Sequence, residues 1–262
     1  MINRRIFLGG VMSFAAPRAI AAKRAVETVD FGPAELDIHN PAPGQRLPVL
    51  LYIHGGAWQV GSRRDVGAKP EFFRALGFLF VSADYRLGPF HRPDRQAQDV
   101  VSAFGWVRAN IAGHGGDPSR IIVMGHSAGC HLAALAALRG DLPGVAGLIL
   151  NDIQMYDIDK YAEARGSLPR HFAYLFPQEK WTDLSPVTHL GKAPVPPVLI
   201  AWSKMPHSRD LSLDFASKLK GAGANVTVFD GLAYKHVGID RKIGMENDAM
   251  SGAITKYLQQ FR

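Results

Sequence analysis

The sequence predicts an α/β fold, with a mostly parallel central sheet flanked by helices in one domain. Three observations predict it. Six short runs of apolar and β-branched residues are continuous rather than alternating, the pattern of strands buried on both faces. Helix-length stretches separate these runs, and strand alternating with helix is how parallel sheets are built. After residue 25 no linker, internal repeat, low-complexity tract or charge block divides the chain.

Taken in order, the first residues read as an address rather than as structure. Arg4-Arg5 precedes an apolar run from Ile6 to Ala16, too short to span a bilayer, which takes about 20 residues, but suited to the core of a signal peptide. Ala19-Ile20-Ala21 then matches the small-x-small cleavage pattern, and the whole resembles a twin-arginine export signal. Residues 1–21 are therefore expected to be an export signal peptide, with the twin-arginine machinery as partner, a periplasmic or secreted destination, and residues 22–262 as the mature domain. Cleavage would remove Arg4, Arg5 and Arg18 and no acids, taking the formal charge from +7 to +4.

The strands are expected at Pro48 to Ile53, Phe78 to Ala83, Arg120 to Met124, Val145 to Leu150, Pro197 to Ala201 and Asn225 to Phe229. Helical stretches fall at Pro70 to Leu76, Pro93 to Ile111, Ser127 to Arg139, Arg209 to Gly221 and Glu246 to Phe261. Asp117-Pro118 marks a turn before the third run, and Gly221 with Gly223 closes the helix before the last. Residues 152–195 break the rhythm. That segment holds Pro, Gly and six aromatics (Tyr156, Tyr161, Phe172, Tyr174, Phe176 and Trp181), and is expected to form a short cap over a site.

Composition narrows the function. With 47% hydrophobic and 20% charged residues the chain is neither disordered nor collagen-like. Cys130 is the only cysteine, so there is no internal disulfide and no thiolate set for zinc or an iron–sulfur cluster. Basic residues form no block beyond the amino terminus, which argues against nucleic acid as a partner.

The most informative stretch is RIIVMGHSAGCHL, where a strand runs into Gly125-His126-Ser127-Ala128-Gly129 and then a helix. A sharp strand-to-helix turn crowds the positions two residues either side of the serine, so glycine is needed there, and it lifts the hydroxyl above the sheet edge. The helix start aims amide N–H groups at developing negative charge. A second motif, His54-Gly55-Gly56-Ala57-Trp58, follows the strand PVLLYI, and its small residues admit close backbone approach. The amides of Gly56, Ala57 and Ala128 are the expected oxyanion hole, with His54 shaping the loop.

In these motifs the chain resembles an α/β-hydrolase of the carboxylesterase, hormone-sensitive-lipase-like and arylformamidase group. The resemblance rests on HGGAW at 54–58, DYRLGP at 84–89, QAQDV at 96–100 ending in WVRANI, GGDPSRI at 115–121, GHSAG at 125–129 and DLSPVTHL at 183–190. It implies an α/β-hydrolase fold whose short cap lies between the sixth and seventh strands, and a Ser–acid–His triad in that chain order. It further implies hydrolysis of a small-molecule ester or amide through an acyl-enzyme, with no metal or organic cofactor. Chain order asks for a histidine after the last strand, and His236 follows Phe229 by seven residues with none downstream. His126 is not expected to swing back onto its neighbour Ser127. His131, one helical turn on, is expected to pack, and His91, His114, His171, His189 and His207 carry no assignment.

The acid departs from the resemblance. Where relatives carry Asp or Glu after the strand matched by PVLIA, this chain has Lys204 and Met205. Three readings stand: Asp210 reaches the imidazole from a reshaped loop, Asp152 after the preceding strand takes over, or no acid exists. Asp210 is the one carried forward. The expected activity is carboxylic-ester hydrolysis by Ser127, His236 and Asp210, against amide hydrolysis by the same machinery or a binding protein on a decayed hydrolase scaffold.

Overall fold

A computed structural model describes residues 25–262; the export signal expected at 1–21 lies outside the described residues. Eight strands form one sheet: β1 (Val26–Asp30), β2 (Glu35–His39), β3 (Leu47–Ile53), β4 (Leu79–Ala83), β5 (Gly116–His126), β6 (Gly147–Asn151), β7 (Val198–Ser203) and β8 (Val226–Gly231). Their spatial order is β1-β2-β4-β3-β5-β6-β7-β8. The β1–β2 and β2–β4 pairs are antiparallel and all others are parallel.

Helices lie on both faces: α1 (Lys69–Ala75), α2 (Pro93–Asn110), α3 (Ala128–Arg139), α4 (Ile158–Arg165), α5 (Arg170–Ala173), α6 (Trp181–Leu184), α7 (Ser208–Gly221), α8 (Gly238–Arg241) and α9 (Ala249–Leu258). Alternate residues of each central strand serve opposite cores. Val49, Leu51 and Ile53 join Ile121 and Val123 under α2, α3 and α7, while Leu50 and Tyr52 join Ile122 and Met124 under α1 and α9. Two-sided burial is why these runs read as continuous hydrophobics.

β1 and β2 were not among the expected strands. VETVD is largely exposed and ELDIH is half polar, because an antiparallel edge needs no continuous apolar run. The turn expected at Asp117-Pro118 also gives way to strand. β5 already starts at Gly116, and the Asp117 carboxylate accepts hydrogen bonds from the Ser119 amide and hydroxyl, absorbing the local irregularity.

α3 is buried on every side from Ala128 to Leu138, wedged between the sheet and the segment that joins β6 to β7. That segment carries α4, α5 and α6. Tyr156 stacks on Phe215 with ring centroids 4.0 Å apart, and Phe172 and Phe176 meet Trp58 edge-on, tying the cap to the loop after β3.

Candidate active site

Ser127 sits between β5 and α3 at φ 53°, ψ −120°, a conformation that costs energy for a residue with a side chain. Crowding explains both flanking glycines. A Cβ at Gly125 would overlap the Gly129 carbonyl, and one at Gly129 would overlap the Ile53 carbonyl. The turn is held by the Ser127 amide donating to the Asn151 carbonyl at 3.0 Å, so the serine sits level with the end of β6.

His236 lies on the loop after β8. Its Nε2 is 2.9 Å from Ser127 Oγ and its Nδ1 is 2.7 Å from Asp152 Oδ2. The carboxyl at the imidazole is thus Asp152 and not the expected Asp210, which lies exposed in the first turn of α7, where a carboxylate suits the helix dipole. The reason lies in sheet register. Asn151 pairs with His126 on one side and Ala201 on the other, so Asp152 emerges beside Ser127 rather than a strand further away.

Asp152 is fully buried at φ 62°, which aspartate tolerates better than most residues. Its second oxygen accepts from the Ser203 amide at 2.9 Å and the Ser208 hydroxyl at 2.8 Å. Burial alone would raise its pKa. The donors on it, His236 foremost, outweigh burial and hold the carboxyl below the ordinary value. Lys204 and Met205, standing where an acid was sought, do other things: the Lys204 amide donates to the Tyr234 carbonyl at 3.0 Å, and Met205 lines a cavity.

Across from the serine, Gly56, Ala57 and Trp58 all have positive φ. A Cβ at Gly56 would overlap the Val60 carbonyl, so only glycine fits. Among the described residues no other protein group takes the N–H of Gly56 or Ala57, and Ala128 opens α3, where first-turn amides have no helical partner. The loop itself is braced. Gln96 Nε2 and the Gly88 amide both donate to the Trp58 carbonyl, at 2.7 and 2.8 Å. His54 stacks on Tyr85 at 4.4 Å and gives its Nδ1 hydrogen to the Gly55 carbonyl, the shaping role expected of it. Arg86 clamps Asp99 through Nε and Nη2 of its guanidinium. Residues 84–89 and 96–100 therefore act as scaffolding for this loop.

Two cavities meet at Ala57, Ser127 and His236. One, of about 240 Å³, is walled by Trp58, Ile153, Met155, Tyr161, Phe172 and Met205. The other, of about 510 Å³, is more polar and carries Tyr52, Asp65, His126, Asp240 and Arg241. The sequence carries a signal for Asp152: Asn-Asp directly follows a continuous apolar strand, and in open α/β sheets functional groups gather at the carboxyl ends of strands.

Comparison with known proteins adds to this geometry. A family profile described as BD-FAE matches residues 36–164. Esterase LipQ of Mycobacterium tuberculosis is 29% identical over 237 residues, covering 83% of this chain and 56% of LipQ. Carboxylesterase NlhH of the same species is 41% identical over 107 residues, 40% of this chain and 33% of NlhH. The chain thus spans about half or less of these curated relatives. Among solved structures, a thermophilic esterase from Thermogutta terrifontis superposes with a TM-score of 0.72 at 25% identity, covering 90% of this chain and 92% of the other. An esterase from Pyrobaculum calidifontis gives a TM-score of 0.71 at 23% identity. With helices on both faces of a mostly parallel eight-stranded sheet and its architecture shared over nine-tenths of both chains, this protein has the α/β-hydrolase fold.

Proposed function

We propose that the protein is a serine carboxylic-ester hydrolase acting on a small-molecule ester. The observation that carries the reading is the continuous relay from Ser127 Oγ through both His236 nitrogens to a buried, doubly anchored Asp152. Ser127 Oγ attacks the acyl carbon while His236 Nε2 takes the hydroxyl proton. Asp152 fixes the imidazole with its hydrogen on Nδ1 and stabilises the imidazolium that forms. The N–H groups of Gly56, Ala57 and Ala128 receive the oxyanion. One such donor contributes about 10²–10³ in rate in other serine hydrolases. Collapse of the tetrahedral intermediate returns the proton to the leaving alcohol. Water, deprotonated by His236, then attacks the acyl-enzyme carbonyl, and a second collapse releases the acid and restores Ser127. The esterase relatives support the same reading.

Thermogutta terrifontis esterase 2 has been captured phosphonylated by sarin, which makes a fluorophosphonate the natural probe. The protein should hydrolyse p-nitrophenyl acetate and take one fluorophosphonate adduct on Ser127, and Ser127→Ala should lose both, with kcat falling at least about 10⁴-fold. Undiminished turnover by Ser127→Ala would overturn the reading. Faster turnover of N-formylkynurenine than of esters would replace ester with amide as the substrate class. We further infer export through the twin-arginine route, supported by Arg4-Arg5, the apolar run to Ala16 and Ala19-Ile20-Ala21.

A further inference from the structure

We propose that His126, the residue before the nucleophile, is a positioning residue that pins the loop bearing His236, joining nucleophile and base through a single side chain. This rests on the serine–histidine reading above. His126 ends β5, paired with Asn151 of β6, so its backbone belongs to the rigid sheet. Its ring places Nε2 3.0 Å from the His236 carbonyl oxygen. A carbonyl only accepts, so Nε2 carries the hydrogen and the neutral ring keeps its lone pair on Nδ1. Room for that ring is made by Gly55, where a Cβ would stand 2.8 Å from His126 Nδ1.

The base loop needs such an anchor. Leu232 and Val237 are 46% and 48% exposed, and the other backbone ties of residues 232–236 are the Leu232 amide on Asp230 Oδ1, the Tyr234 amide on the Gly231 carbonyl, the Lys204 amide on the Tyr234 carbonyl and the Ile239 amide on the Lys235 carbonyl. None of them engages the backbone of His236 itself. The two imidazoles lie with centroids 4.8 Å apart, so a charged His126 would oppose the imidazolium forming on His236. Burial lowers the His126 pKa, with the His236 ring acting in the same direction, while Asp240, the hydrogen bond to the His236 carbonyl and Asp152 favour the cation. A neutral donor therefore serves the loop without opposing the base.

Three variants test this by kcat and KM for p-nitrophenyl acetate, with melting curves alongside. His126→Phe keeps a ring and removes the donor; His126→Gln places an amide N–H as many bonds from Cβ as Nε2 stands; His126→Asn is one carbon too short to reach. Misplacing a catalytic group by an ångström costs about 100-fold, so Phe and Asn should lower kcat by about 10- to 100-fold with KM little changed, and Gln should recover most of it. Wild-type kcat in His126→Phe, or equal losses in Gln and Asn, would overturn the proposal. Should the Phe variant fail to fold, the Gln–Asn comparison decides alone. Ser127→Ala, assayed in parallel, reports separately on the serine mechanism.

Discussion

Asp152 is gripped by three donors, and the division of labour among them sets what each substitution does. Asp152→Asn keeps an acceptor for Ser203 and Ser208 but turns an amide towards His236 Nδ1, favouring the wrong tautomer. The expected result is a fall in kcat of about 10⁴-fold with KM nearly constant, while Asp210→Asn, on an exposed helix turn, leaves kcat unchanged and stability within about 0.5 kcal/mol. Steady-state kinetics on the pair checks both. Ser127 is legible from sequence because its flanking glycines answer a local steric demand, and His236 because chain order leaves one candidate. The acid is not, since which strand end stands beside the serine is a matter of register between segments about 25 residues apart. His126 shows the same limit: adjacency to Ser127 in the chain says nothing about the His236 carbonyl 110 positions away.

At the level of elements, α3 does more than present the serine. One turn beyond Ser127, His131 is fully buried, edge-on to Trp58 and Phe176, and its Nε2 donates to the Leu184 carbonyl at the end of α6 at 2.8 Å. This bond, with Arg139 donating to the Asp183 carbonyl at 2.7 Å and Cys130 beside the Tyr156 hydroxyl, ties α3 to the cap. Burial pushes the His131 pKa down to about 4, against about 6.5 in an unfolded chain. Between those values the unfolded state binds more protons, so His131 costs stability progressively as pH falls from about 6.5 to 4, by about 3 kcal/mol in all. His131→Gln, neutral throughout and still a donor, should show a smaller loss of unfolding free energy from pH 7 to pH 4.5 in urea titrations than the wild type. An identical slope would show that His131 does not titrate on unfolding. The central strands and long helices are readable because two-sided burial leaves continuous apolar runs, whereas β1 and β2, exposed and half polar, leave none.

At the scale of the molecule, the formal charge of +7 includes three arginines that precede the expected cleavage site and leave the mature domain at +4. If Arg4 and Arg5 are an export address, replacing both with lysine preserves charge and destroys the signal. The expected outcome is retention in the cytoplasm with an uncleaved amino terminus, read by fractionation and amino-terminal mass; unchanged secretion would refute it. Cys130 is buried and 3.4 Å from the Tyr156 hydroxyl, and burial holds its thiol protonated.

Seating the acid at the end of β6 has a consequence for how this protein can change. The turn from Lys204 to His207 carries no part of the relay, yet Met205 in it faces the apolar cavity, and the charge-bearing contacts stop at Ser203 and Ser208 on either side. Substrate range and proton chemistry are thereby uncoupled. The side chain at 205 is a tuning dial that evolution or a combinatorial library can turn without touching the contacts that hold Asp152.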